Sequence, residues 1–186
     1  MAKVIKKHQK GPSGKRRIGG PLRRNNIHGI KDNIPGIIID GDVVYRNIAH
    51  WLGVASPVAH SIRSDFDILQ ASNHGISKKS IDHLAVYMGI SRKVMAEHIF
   101  DVSVKTMERK KPNEKLDKKT SSHALEVAKI FQHAFEVFGN EEKAKLWINR
   151  ENQALNNNKP VDLFDTLTGL NMVNDVLGRI EEGVYS

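Results

Sequence analysis

The sequence predicts an all-α protein: a basic N-terminal arm, a helical middle and a C-terminal unit of three short helices. Three observations carry that expectation. In the last third, Leu125, Ala128, Phe131 or Gln132, Phe135 and Phe138 recur at the 3.6-residue spacing that gives a helix one apolar face. Helix start and stop residues punctuate the chain, with Ser, Asp or Asn before apolar stripes and Gly after them. The first 35 residues have no apolar period at all. The expected organisation is 1–36 as a flexible arm, 37–114 as a helical N-terminal domain and 115–186 as a second small domain.

The arm is broken by Gly11-Pro12-Ser13-Gly14, Gly19-Gly20-Pro21 and Pro35-Gly36. So little apolar surface does not offset chain entropy, which makes it a disordered cationic segment. Residues 1–35 carry a net charge of +9 within a chain total of +8. Residues 77–114 are net +3 and 115–186 net −2. Basic charge concentrated in the arm and middle is the footprint of nucleic acid, and Lys15, Arg16, Arg17, Arg23 and Arg24 are placed to hold phosphates. The acidic C-terminal third points to a protein partner instead. G-P-S-G-K-R lacks both the spacing and the preceding strand of a phosphate loop.

Ordered structure is expected from about Ile37. I-I-I-D-G-D-V-V is readable as a hairpin turning at Asp40-Gly41. The alternative is a helix capped by Asp42 and running to Leu52, which the length of the pattern favours. Ser56-Pro57 and Ser64-Asp65-Phe66-Asp67 are further helix starts. Ser77 then caps a helix with Ile81, Leu84, Ala85 and Met88 on one side, stopped by Gly89. Ser91 caps the next, with Val94, Met95, His98 and Ile99. After Asp101-Val102, Ser103 caps V-K-T-M-E-R-K-K. Two short helices joined by a tight turn, the second bearing exposed Lys and Arg, fit a helix-turn-helix. In such docking Ser103 and Thr106 meet a phosphate or base edge, Lys105 and Arg109 reach into the major groove, and Lys110 and Lys111 hold the backbone. The competing interpretation of 110–113 is a solvated linker.

Beyond Phe138, Gly139 is a natural left-handed stop and Asn140 a cap, with Glu141 and Glu142 at the positive helix end. Ala144, Trp147 and Ile148 share one face. A last helix is expected from about Gly169 to Glu182, striped by Leu170, Val173, Val176, Leu177 and Ile180. The nine histidines show no ligand spacing, no carboxylate pair is placed about a cleft, and there is no cysteine. No metal, no cofactor and no enzymatic activity are therefore expected. Without a membrane span or signal-peptide core, the expected location is cytoplasmic.

The words F-G-N-E-E-K-A-K-L-W-I-N, K-P-V-D-L-F-D-T, G-L-N-M-V and L-G-R-I-E-E-G-V-Y, in that order, resemble the ParS-like toxin-binding domain of Xre-type antitoxins from RES–Xre toxin–antitoxin systems. V-S-V-K-T-M-E-R-K is similar to the recognition-helix word of the same family. The resemblance covers about residues 60–186. Asn156, Asn157 and Asn158 stand where the family has small residues, often Gly-Gly. Asp101 replaces the usual turn glycine, and Glu97 the usual small residue of the preceding helix. The resemblance implies an antitoxin that sterically blocks a RES-domain, NAD-degrading toxin and autorepresses its operon as a homodimer on two-fold operator DNA. It further implies that Gly183, Val184, Tyr185 and Ser186 form the inhibitory end, with Trp147 and Arg179 as flanking contacts. The alternative is a DNA-binding regulator without a toxin partner.

Overall fold

The computed structural model describes residues 43–54, 62 and 64–184. The basic arm, the Ile37–Asp42 segment and its cap, the Ser56-Pro57 start, Tyr185 and Ser186 lie outside the described residues. What is described is helical, without a named strand: α1 (Val43–Trp51), α2 (Asp65–His74), α3 (Lys78–Met88), a π-helical turn (Val94–Ile99), α4 (Val104–Arg109), α5 (Lys118–Phe138), α6 (Glu141–Ile148), 3₁₀ turns at Gln153–Leu155 and Pro160–Leu163, and α7 (Leu167–Glu181). Where a hairpin and a helix competed, residues 43–51 are a helix.

The organising element is α5, 21 residues and about 32 Å long at 1.5 Å per residue. Against it pack α1, α2, α3, α6 and α7, so helices from both halves of the chain share one apolar core. Its inward stripe takes both candidates for one position, since Phe131 and Gln132 are each buried. Gln132 is tolerated there because its amide is satisfied: Oε1 accepts from Trp51 Nε1 at 2.7 Å, and Nε2 donates to Glu136 Oε1 at 2.8 Å. Trp51 itself is 1% exposed and meets Tyr87 and Phe131 edge-on.

Helix ends follow their caps. Ser64, Ser77, Ser103 and Asn140 each accept the backbone N–H three residues on, and Gly139 closes α5 at φ +64°. Two further caps set where α5 and α7 begin. Asp117 caps α5, accepting from Thr120 N at 2.9 Å. Thr166 caps α7, which therefore begins at Leu167, two residues before Gly169. Gly169 sits inside that first turn because a Cβ there would lie 2.0 Å from the Leu163 carbonyl oxygen. The glycine lets α7 seat directly on the Pro160–Leu163 turn.

The polar loop is built rather than slack. Asn156 and Asn157 take φ of +56° and +60°, the conformation that small residues would supply at no cost and Asn tolerates. Asn152 N–H donates to Asn158 O, Asn157 N–H donates to Asn152 O, and Leu155 is buried beneath them.

Candidate DNA-reading and partner-binding surfaces

The middle of the chain folds as a helix-turn-helix with an unusual first helix. From Val94 to Ile99 the hydrogen bonds run in π register, which holds one residue more than an α-helical turn of the same length. The consequence is a shift of one position. Glu97, standing where the family has a small residue, points to solvent, and Ala96 is the small residue that is packed, at 1% exposure. His98, expected on the inner side, is likewise exposed. Asp101 takes the turn at φ +51°, and Val102 N–H reaches back to Ala96 O at 2.9 Å. That bond spans one residue more than the 6→1 bond of an ordinary Schellman end. The π register thus accounts for the exposed Glu97, while Asp101 takes the turn because Asp tolerates positive φ.

Helix α4 is anchored by Met107, which is buried, and Val104, which is half-buried. Its outward side chains are the ones expected to read DNA. Lys105 and Arg109 stand one turn apart, exposed, and no ion pair is formed by either among the described residues. Ser103 and Thr106 pair their hydroxyls at 2.8 Å while Ser103 accepts Thr106 N–H, so one hydroxyl hydrogen remains for a phosphate. Lys110 differs: its Nζ is 2.8 Å from Glu114 Oε1, and Glu114 Oε2 accepts the Lys111 N–H. These contacts, the Lys110 hydrogen bond foremost, hold the Glu114 carboxyl below its usual range. Lys111 remains exposed.

The stretch after α4 is pinned to the start of α3. Pro112 and Glu114 carbonyls accept the Lys79 and Lys78 N–H groups at 2.8 and 2.9 Å, and Leu116 N–H donates to Ile76 O. Two of the orphan donors at that helix start are satisfied by the segment itself. Lys78 and Arg92 converge on Asp82 at 2.5 and 3.6 Å, tying α3 to the first helix of the motif. The reading unit is thus held as one body with the core.

The residues expected to meet a protein partner fall on two separate elements. Trp147, half-buried on α6, leans on Phe138 at 5.5 Å and leaves its Nε1 buried without an acceptor. Beside it an open groove is lined by Lys143, Leu146, Arg150 and Gln153. None of Arg179, Gly183 or Val184 lines that groove. They end α7, where Arg179 Nε donates to Asp175 O at 3.4 Å, Gly183 turns the chain at φ +73° and Val184 is 54% exposed. The last turn of α7 is tied to α5 through His133, whose ring nitrogens face Asn174 Oδ1 at 2.8 Å and Glu181 Oε2 at 3.4 Å. Sequence reasoning missed Leu146. Its signal was an apolar residue lying off the Ala144–Ile148 stripe. Among the described residues no three His, Asp or Glu side chains converge as metal ligands, and no helix is long and apolar enough to cross a membrane.

The fold and these surfaces define a class first: a helix-turn-helix protein fused through a shared central helix to a helical partner-binding unit. Comparison with known families agrees. Residues 67–129 match the antitoxin Xre-like helix-turn-helix domain, and residues 133–183 match the antitoxin Xre/MbcA/ParS C-terminal toxin-binding domain. The chain belongs to the Xre-type antitoxins, with a module for DNA and a module for a toxin. No curated protein matches the sequence.

Proposed function

We propose that this antitoxin neutralises a RES-domain, NAD-degrading toxin by steric occlusion and represses its own operon. The observation that carries the proposal is the exit of the chain from α7. Helix α7 is seated on α5, the Gly183 turn follows, and Val184 stands exposed ahead of Tyr185 and Ser186. A short end with one aromatic anchor suits insertion into a cleft, because Tyr offers a large area for few rotatable bonds. The RES identity of the partner rests on the C-terminal words quoted above. In this mechanism the chain performs no chemistry: it removes the toxin's access to NAD.

On DNA, α4 enters the major groove with Lys105 and Arg109 at the bases, Ser103, Thr106 and Lys111 at phosphates, and Lys110 joining once Glu114 releases it. A homodimer places two such helices on half-sites about 34 Å apart. The basic arm adds phosphate contacts, and all of this occurs in the cytoplasm. Purification and footprinting test both halves. Copurification of the neighbouring gene product, with protection of a palindrome upstream of the operon, is the expected result. Protection of the palindrome with no copurifying partner would instead favour a DNA-binding regulator without a toxin.

A further inference from the structure

We propose that the groove beside Trp147 is the docking site for a segment of the toxin that presents an apolar side chain next to an Asp or Glu carboxylate. This rests on the antitoxin reading above and deepens it: the α6 groove supplies affinity, and the C-terminal end supplies occlusion. The groove is open, about 760 Å³, and floored by Phe138, Leu146, Trp147 and Ala154. Leu146 is 51% exposed although it stands beside an aromatic ring in a helix whose other apolar positions are covered. Such a cluster meets water at a cost that a partner's apolar side chain would remove.

The charges flanking the floor say what that partner carries. Lys143, Arg150 and Glu151 line the groove and are exposed, so its charged rim is net cationic, and neither cation forms an ion pair among the described residues. Lys145, on the same helix but turned away, is held by Glu141 at 3.7 Å and Glu142 at 3.0 Å. The cation outside the groove is thus neutralised, and the two beside it are left available. Lys143 lies within α6 and Arg150 two residues past its end at Ile148, so the cations reach the groove from the helix and from the turn that follows it. A DNA backbone would use the cations but gain nothing from Leu146 and Phe138, so an acidic–apolar protein segment is the better fit.

The test measures the affinity of full-length variants for the purified neighbouring gene product, together with their inhibition of it. Leu146→Asp is expected to weaken binding about 30-fold or more, the loss typical of a central anchor, and Arg150→Glu about tenfold. Leu167→Asp, at a leucine 64% exposed outside the groove, is expected to bind as wild type. A chain ending at Gly183 is expected to retain most affinity while losing inhibition. Operator binding by every variant reports an intact fold. Wild-type affinity in both Leu146→Asp and Arg150→Glu overturns the groove but leaves the antitoxin reading standing. Failure of the wild-type chain to bind the neighbour overturns both. A fall in operator affinity or in the mass of the free chain, with toxin affinity unchanged, assigns the groove to DNA or to a second copy and overturns the proposal.

Discussion

At the scale of single residues, the molecule separates charges it keeps for itself from charges it offers. Glu114 occupies Lys110 at 2.8 Å, while Lys105, Arg109 and Lys111 stand exposed. Glu114→Gln is therefore expected to tighten operator binding several-fold at low salt. The slope of log K against log[salt] should steepen by roughly 0.9 if Lys110 gains one phosphate. A titration series between about 50 and 200 mM salt reads both. Asp117 offers a second residue-scale expectation. The Thr120 N–H, the main cause, holds its carboxyl below the 3.8 of a free Asp. A depressed carboxylate contributes stability that is present above the unfolded pKa and is lost as pH falls through the folded one. Asp117→Ala should cost about 1 kcal/mol at neutral pH. Asp117→Asn should keep the cap but flatten the loss of stability below pH 3.8, which thermal melts across that range would show. In the core, Trp51→Phe leaves the Gln132 carbonyl oxygen without its donor, for which about 1–3 kcal/mol is expected in chemical denaturation.

At the scale of elements, much was legible and the exceptions have physical causes. Helices α5, α6 and α7 announced themselves through apolar period, and α6 also through its Asn140 cap, because each buries a single stripe against neighbours. The three asparagines marked a departure from the family's small residues, and only the structure shows that Asn156 and Asn157 keep the left-handed turn. The π turn was not legible: a motif read at α-helical spacing carries no sign of a wider turn, so Glu97 stood as a departure at the small position that Ala96 fills. Nor was the pinning of 112–116 onto α3, because backbone N–H and carbonyl groups make those bonds and leave no side-chain signature. Leu146 was passed over because the stripe was counted without asking which apolar residue lay outside it. The π register predicts a contrast between adjacent sites. Ala96→Leu overpacks the seam and should cost about 1–3 kcal/mol and weaken operator binding. Glu97→Leu, one residue on at an exposed position, should change stability by less than about 0.5 kcal/mol.

At the scale of the whole molecule, the DNA-binding and toxin-binding modules share one helix. The match to the DNA-binding family ends at 129 and that to the toxin-binding family begins at 133, both inside α5. Trp51 on α1 reaches Gln132 on α5, and Asn149 beyond α6 donates to Met88 O at the end of α3, at 2.8 Å. A core continuous across both modules predicts a single calorimetric unfolding transition for the described residues, with toxin and DNA each raising its midpoint. The measurement that bears most directly on the whole account is NAD hydrolysis by the neighbouring gene product, alone, with the full chain, and with a chain ending at Gly183. Suppression by the full chain and its loss on truncation is the predicted result. Unchanged NAD hydrolysis with the full chain present, or full suppression by the truncated one, would contradict occlusion by the C-terminal end.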